Sequence, residues 1–158
     1  METRSTSSWG KNGPTDLQAT QLEALGRAIK QVQYRHHRAL DTRLSALGTT
    51  LAQWDALRAA ERHPGASAHD LAVATFQSDQ AFGTLAARLI TQGLIERRPG
   101  RGRRIEHHLT DTGAATLEAG YPVARAVLEA SFIDLNQEER ATLLDLLNRM
   151  IARPLGLG

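Results

Sequence analysis

The chain contains no cysteine among its 158 residues. This absence excludes a disulfide framework, a thiolate metal site and a thiol-based redox switch, and it fits a reducing cytoplasm best. The chain also has no apolar run as long as a membrane span, and its first ten residues lack the apolar core of a signal peptide. We therefore expect a soluble, cytoplasmic protein that has no membrane partner.

The common sequence motifs of enzymes are absent as well. There is no Gly-x-Ser-x-Gly elbow, phosphate loop, His-Glu-x-x-His or dinucleotide fingerprint. The histidines cluster only as the adjacent pairs His36-His37 and His107-His108, and adjacent side chains point apart on both helices and strands. We therefore expect neither an enzyme nor a cofactor nor a dedicated metal site.

Positive charge is concentrated in one short segment. The formal net charge is only +2, yet residues 97–104 contain five arginines. The carboxylates close in sequence are Glu96 and Glu106, so most of this charge is expected to face solvent or a polyanion. Local basicity on an otherwise near-neutral chain suits a protein that contacts a phosphate backbone. The arginines are Arg97, Arg98, Arg101, Arg103 and Arg104.

Hydrophobic periodicity predicts helices before this segment. A long helix is expected from about residue 16 to 46, followed by a helix capped by Thr50, a helix over 68–75 capped by Ser67, and a helix from Ser78 to Gln92. The fourth helix has one apolar face and one free face, which we interpret as a surface for packing and a surface for reading a ligand. The free face carries Gln80, Ala81, Thr84 and Arg88.

The arginines lie in a predicted β-hairpin with strands over 94–98 and 104–109, joined by turn residues that include Gly100 and Gly102. Glycine leaves a bare backbone that can approach a groove closely. A helix capped by Thr110 should follow, with Pro122 expected to kink or divide it. A capping box formed by Asn136 and Glu139 should begin the last helix.

This order predicts a mainly α fold with a small β wing, namely a winged helix-turn-helix domain with long flanking helices. The apolar surface of those helices exceeds what a small domain covers, so we expect an intertwined dimer. The expected organisation is a flexible tail over 1–13, a dimerisation helix over 14–47, a winged helix-turn-helix DNA-binding domain over 48–112, and C-terminal dimerisation helices over 113–158.

Four sequence strings carry a resemblance to a known family. They are L-A-Q-W-D-A-L at 51–57, D-L-A at 70–72, R-L-I-T-Q-G-L-I-E-R at 88–97 and L-T-D-T-G at 109–113. In order and spacing the chain resembles, over about residues 17–152, the MarR family of dimeric bacterial transcription regulators.

The resemblance implies roles for individual residues. Ser78 matches the cap of the recognition helix, Gln80, Ala81, Gly83 and Thr84 match positions that face the major groove, and Arg103 matches the wing-tip arginine. Two residues before that arginine the family usually has an aspartate that braces the wing, whereas this chain has Arg101. The full set of expected DNA-binding residues is Ser78, Gln80, Ala81, Gly83, Thr84, Arg88, Arg97, Arg98, Arg101, Arg103 and Arg104.

The resemblance also implies a function. We expect a homodimer that binds a pseudo-palindromic duplex, represses transcription by default, and is released by a small aromatic or anionic effector if one exists. The candidate effector-binding residues are Tyr34, His37, Trp54 and Arg58, with His36 beside them, although Trp54 also fits a plain core position. Two alternatives stay open: a zinc-responsive regulator of the same fold, and an architectural protein that binds nucleic acid without sequence preference.

Overall fold

The computed structural model describes residues 14–156, with side chains from Gln18 onward. By compactness the chain divides into two units, Met1–Arg35 and His36–Gly158. The tail predicted for residues 1–13 lies outside the described residues. The described part of the chain contains, in order, α1 (Pro14–Ser45), α2 (Leu51–Arg62), α3 (Ala68–Ala74), α4 (Asp79–Thr91), β1 (Ile95–Pro99), β2 (Ile105–Leu109), α5 (Asp111–Ser131) and α6 (Gln137–Ala152).

The predicted capping residues begin the helices. Thr50 and Ser67 each form a complete capping box, with Gln53 and Asp70 as the respective third helical residues. Ser78 accepts a hydrogen bond from the backbone N–H of Ala81 and so caps α4. These bonds satisfy N–H groups that have no partner inside the helix, which explains why each helix begins where it does. Asn136 likewise caps α6 through a capping box.

Apolar side chains from the end of α1 and from α2, α3, α4, β1 and α5 form one core in the second unit. At its centre the indole N–H of Trp54 donates to the carbonyl of Leu117 at 3.0 Å, and the ring meets Tyr121 edge to face at 5.5 Å. The largest fully buried side chains are Trp54, Phe82, Leu44, Leu57, Leu71, Leu89, Ile95 and Leu117.

The two strands form an antiparallel hairpin in which Ile95 pairs with Leu109 and Pro99 with Ile105. Each strand begins one residue later than predicted. Leu94 is excluded because its N–H donates to the Leu89 carbonyl at the end of α4. Arg104 is excluded because its N–H donates to the Arg101 carbonyl within the turn.

The helix boundaries also differ from prediction in places. α1 begins at Pro14 and ends at Ser45. α3 ends at Ala74, because its last α-helical bond is made by the Thr75 N–H and the next N–H, of Phe76, turns back to the Val73 carbonyl. Pro122 was expected to kink or divide its helix, and it does not divide it, since α5 continues through it. Proline removes one helical hydrogen bond, and the burial of Gly120 and Ala124 on either side keeps the segment in one helix.

Candidate functional site

Helix α4 presents the free face that its sequence pattern predicts. Phe82, Ala86 and Leu89 are buried in the core. Gln80, Ala81, Thr84 and Arg88 are exposed, and Gly83 is half-buried. Polar side chains, methyl groups and a guanidinium thus share one accessible surface on a helix that the core holds rigidly.

Two hydroxyls on α4 are already engaged with the helix backbone. Ser78 Oγ accepts from the Ala81 N–H at 3.2 Å, which leaves its own proton for an external acceptor. The Thr84 hydroxyl donates to the Gln80 carbonyl at 3.2 Å, which leaves its methyl group and lone pairs for a ligand. A methyl group of this kind can pack on the methyl of thymine, and the Gln80 amide can bond an adenine edge.

The wing arginines divide into two groups. Arg98 pairs with Glu96, its Nε donating at 2.9 Å, and Arg104 Nη2 pairs with Asp70 Oδ2 at 3.0 Å. Arg97, Arg101 and Arg103 are exposed and have no carboxylate partner among the described residues. These last three form the uncompensated positive charge of the wing.

The carboxylate of Asp70 is a site residue that sequence reasoning missed. It lies 34 positions before Arg104 and enters the site from α3. The pKa of Asp70 is lowered chiefly by hydrogen bonds from the side chain and backbone of Ser67, and further by Arg104. The capping-box spacing of Ser67 and Asp70 was the available signal, but it marks a helix start and not an ion-pair partner.

The base of the wing is anchored to the turn between α2 and α3. The His107 N–H donates to the Ala66 carbonyl at 3.0 Å, and the His107 side chain is buried. Burial lowers the pKa of this imidazole, and within the described residues its Nε2 has no hydrogen-bonding partner. The Glu106 carboxylate lies 3.0 Å from His108 Nε2. It also occupies the space that a Cβ at Gly65 or Gly100 would need.

The turn between α3 and α4 carries an unusual residue. Phe76 has a φ of 56°, a conformation that costs a side chain with a Cβ about 1–2 kcal/mol. Its ring is 99% exposed, so no burial in the protein offsets this cost. Sequence reasoning missed it, although Phe76 lies only two residues before the recognised helix cap Ser78.

The candidate effector residues are partly brought together. Trp54 is a core residue, and the Arg58 guanidinium lies over its ring at 4.9 Å while donating to Asp55 at 2.8 Å. Burial raises the pKa of Asp55, and Arg58 and then His37 oppose this shift. His36 contacts Ser131 and Phe132. Tyr34 is exposed and belongs to the first unit.

Neither a metal site nor a membrane span is found in the part of the chain that the structure describes. No three His, Asp or Glu side chains meet there as potential ligands of one ion. None of the described helices is long and apolar enough to cross a bilayer.

A short helix, a turn, a second helix with an exposed polar face, and an arginine-bearing hairpin together define a winged helix-turn-helix protein. Residues 47–105 match the model of the MarR family. The HTH-type transcriptional repressor NicR of Pseudomonas putida is 30% identical over 142 residues, which cover 89% of this chain and 87% of NicR. The chain belongs to the MarR family and is a transcriptional regulator.

Solved structures agree with this assignment. A cysteine-to-serine mutant of MarR from E. coli, complexed with operator DNA, has a TM-score of 0.76 at 26% identity and covers 82% of this chain and 95% of that chain. A MarR family protein from Mycobacterium tuberculosis, complexed with salicylic acid, has a TM-score of 0.67 at 26% identity. The match covers 80% of this chain and 95% of that chain. The mainly α fold with a small β wing is thereby confirmed.

Proposed function

We propose that this regulator is a homodimeric repressor that binds a pseudo-palindromic operator, with one α4 per half-site in the major groove and the wing alongside. The observation that carries the proposal is the set of three exposed wing arginines, Arg97, Arg101 and Arg103, that no described carboxylate neutralises. Arginines without an internal partner attract phosphates, and each phosphate contact releases bound counterions from DNA.

We assign base reading to α4. Gln80 and Thr84 offer the hydrogen-bonding and methyl groups that distinguish base pairs in the major groove. Ser78, Ala81 and Gly83 lie at the same helix end, where a recognition helix makes its base contacts, and Arg88 extends the surface toward the backbone. The E. coli relative complexed with operator DNA supports DNA binding by a protein of this fold.

We assign phosphate and minor-groove contact to the wing. Arg103 follows Gly102, which has a φ of 69° and turns the chain at the tip. Arg101 lies on the other side of this glycine, and Arg97 lies on β1. Arg98 and Arg104 carry less available charge because each has a carboxylate partner, so we place them at the rim of the interface.

The proposed second copy covers the helices outside the winged domain. No residue of α6 is buried, and Leu144, Leu146, Met150 and Ile151 are between 46% and 79% exposed. Leu22 and Leu25 on α1 are exposed as well. Apolar helix faces of this extent are typical of an interface between copies, so we propose residues 14–47 and 113–158 as dimerisation segments around a DNA-binding domain over 48–112.

Sedimentation velocity tests the dimer. Replacement of Leu144 by Glu puts a charge into the proposed interface and should raise the dimer dissociation constant by at least about tenfold. Val73→Glu, which puts the same charge on an exposed apolar residue of α3 outside the proposed dimerisation segments, serves as the control and should sediment like the wild type. A wild-type monomer at micromolar concentration contradicts the proposal.

An effector, if the protein has one, is proposed to be a small aromatic acid. The salicylic acid complex of the M. tuberculosis relative supports this class. The proposed contacts for the carboxylate are Arg58 and His37, next to the Trp54 ring that Arg58 covers. An effector must prefer the form in which the recognition helices do not fit the operator, because equal affinity for both forms shifts nothing. Thermal shift with a panel of aromatic acids tests it, and no shift with any member argues against it.

The decisive experiment is selection of bound duplexes from a random pool, followed by fluorescence anisotropy titration. The wild type should prefer the selected duplex over bulk DNA by about a thousandfold or more. Arg103→Ala should weaken binding roughly tenfold and lower the slope of log affinity against log salt by about 1. Arg62→Ala removes the same charge from an exposed position that belongs neither to the proposed DNA-binding residues nor to the dimerisation segments, and it should change neither quantity. Equal affinity for all duplexes would instead indicate an architectural protein.

A chromosomal operator also implies a cytoplasmic location, which we propose together with the function.

A further inference from the structure

The tip of the wing is attached to the rest of the hairpin through Arg104. The Gly100 N–H donates to the Arg104 carbonyl at 2.9 Å, and the Arg104 N–H donates to the Arg101 carbonyl at 3.4 Å. These two bonds close the turn that carries Arg101 and Arg103. Any movement of Arg104 therefore moves both of these arginines.

The side chain of Arg104 links this turn to α3. Its Nη2 donates to Asp70 Oδ2 at 3.0 Å and lies 3.4 Å from the Gly65 carbonyl oxygen. Asp70 is itself held in place, because the same oxygen accepts from the Ser67 N–H at 3.0 Å and from the Ser67 hydroxyl at 2.7 Å. The acceptor is thus fixed before Arg104 reaches it.

The link lies closer to the wing tip than the bond from the His107 N–H to the Ala66 carbonyl, which joins β2 to the turn between α2 and α3. Ile105, between the two, is 50% exposed and packs little. Residue 101, where the resemblance implies a bracing aspartate, is an arginine and cannot supply that carboxylate.

We propose that the Asp70–Arg104 pair fixes the orientation of the wing tip, so that Arg104 is a positioning residue that acts through Arg101 and Arg103. This inference rests on the proposed DNA-binding function. It assigns Arg104 a different role from that of its neighbours, a difference that the sequence alone did not indicate.

The direction in which one substitution changes DNA affinity separates a positioning role from a purely electrostatic one. A carboxylate beside a DNA-binding surface repels phosphates, so its neutralisation should tighten binding if charge alone matters. If Asp70 holds the wing in place, its neutralisation should weaken binding even though the protein becomes more positive. The two explanations predict opposite changes in affinity.

The experiment compares Asp70→Asn with Asp79→Asn in anisotropy titrations on the selected duplex at constant salt. Asp79 is an equally suitable carboxylate for neutralisation, since it pairs with His69 at 2.9 Å on the same helix-turn-helix and has no described bond to the wing. Asn at position 70 retains an oxygen that can accept from Ser67, so the cap of α3 is preserved, and thermal midpoints check this.

We expect Asp70→Asn to weaken binding about threefold to fivefold, the upper range of what one exposed ion pair contributes to an equilibrium. Asp79→Asn should bind as well as the wild type or more tightly. Arg104→Lys, which can still pair with Asp70, should retain more affinity than Arg104→Gln. Unchanged or tighter binding by Asp70→Asn overturns the proposal.

A second measurement reports on the wing without DNA. Because the chain has no cysteine, Arg101→Cys introduces a single thiol for a nitroxide spin label. The label should become more mobile when Asp70→Asn is added and should not change when Asp79→Asn is added. Equal mobility in both backgrounds also overturns the proposal. A wild type that prefers no duplex refutes the proposed function, while the label still tests the anchor.

Discussion

Replacement of glycine by alanine should have opposite effects on stability at two helical positions. Gly120, on α5, is buried, and a Cβ built there would lie 2.0 Å from the indole nitrogen of Trp54. Gly83, on α4, has no described atom within 4 Å of its Cβ position other than its own helix and chain neighbours. Alanine therefore forces Trp54 to move in the first case and meets open space in the second.

The size of the stability loss in Gly120→Ala follows from the interactions that Trp54 would lose. Its ring is 2% exposed and donates to the Leu117 carbonyl, so it cannot shift without strain or loss of that bond. Overpacking costs about 1–3 kcal/mol and a buried donor left unpaired costs about 1–3 kcal/mol, against a helix-propensity gain of up to about 1 kcal/mol from alanine. We expect Gly120→Ala to lose about 2–4 kcal/mol and Gly83→Ala to gain up to about 1 kcal/mol.

Differential scanning calorimetry measures both variants against the wild type. At about 2–4 °C per kcal/mol for a chain of this size, Gly120→Ala should melt roughly 5–15 °C lower and Gly83→Ala up to about 4 °C higher. Protein concentration must be equal in all scans, since the proposed dimer would make the midpoint depend on it. A Gly120→Ala variant that melts at or above the wild-type temperature refutes the packing argument.

Two further predictions concern residues that sequence reasoning did not identify. Burial depresses the pKa of His107 below its ordinary value of 6.5, so the stability contributed by its neutral form is present above that value and lost as the pH falls through it. The free energy of unfolding, measured in urea, should therefore drop more between about pH 7 and pH 5 in the wild type than in His107→Leu; parallel profiles would exclude this histidine as the cause. Phe76→Gly should raise the free energy of unfolding by up to about 1 kcal/mol, because glycine adopts a positive φ without strain and the exposed ring contributes no burial. A loss of stability on urea denaturation would mean that the ring packs against another part of the protein.

Much of the fold follows from local signals. Thr50, Ser67, Ser78 and Asn136 cap their helices through bonds to groups three residues away, and such bonds depend only on the neighbouring sequence. The buried face of α4 follows from a period that one helix imposes by itself. The boundary errors of one or two residues arose where a backbone group belongs both to an element and to the adjoining turn, as at Leu94.

The candidate site, too, was predictable only where its residues are close together in the sequence. The sequence located the wing arginines and the free face of α4, since both are runs of nearby residues. It did not show that Arg104 has an ion-pair partner, because Asp70 enters the site from a different helix.

By itself, the sequence determined where the helices and the hairpin lie, which faces are apolar and where positive charge accumulates. The tertiary structure decided which arginines remain uncompensated, that His107 is buried, and that Gly120 admits the Trp54 ring. The ion pair of Asp70 and Arg104 joins residues 34 positions apart, and the hydrogen bond that holds the Trp54 ring joins it to Leu117, 63 positions away. Contacts at such separations exist only after the elements have packed, so no local pattern of residues encodes them.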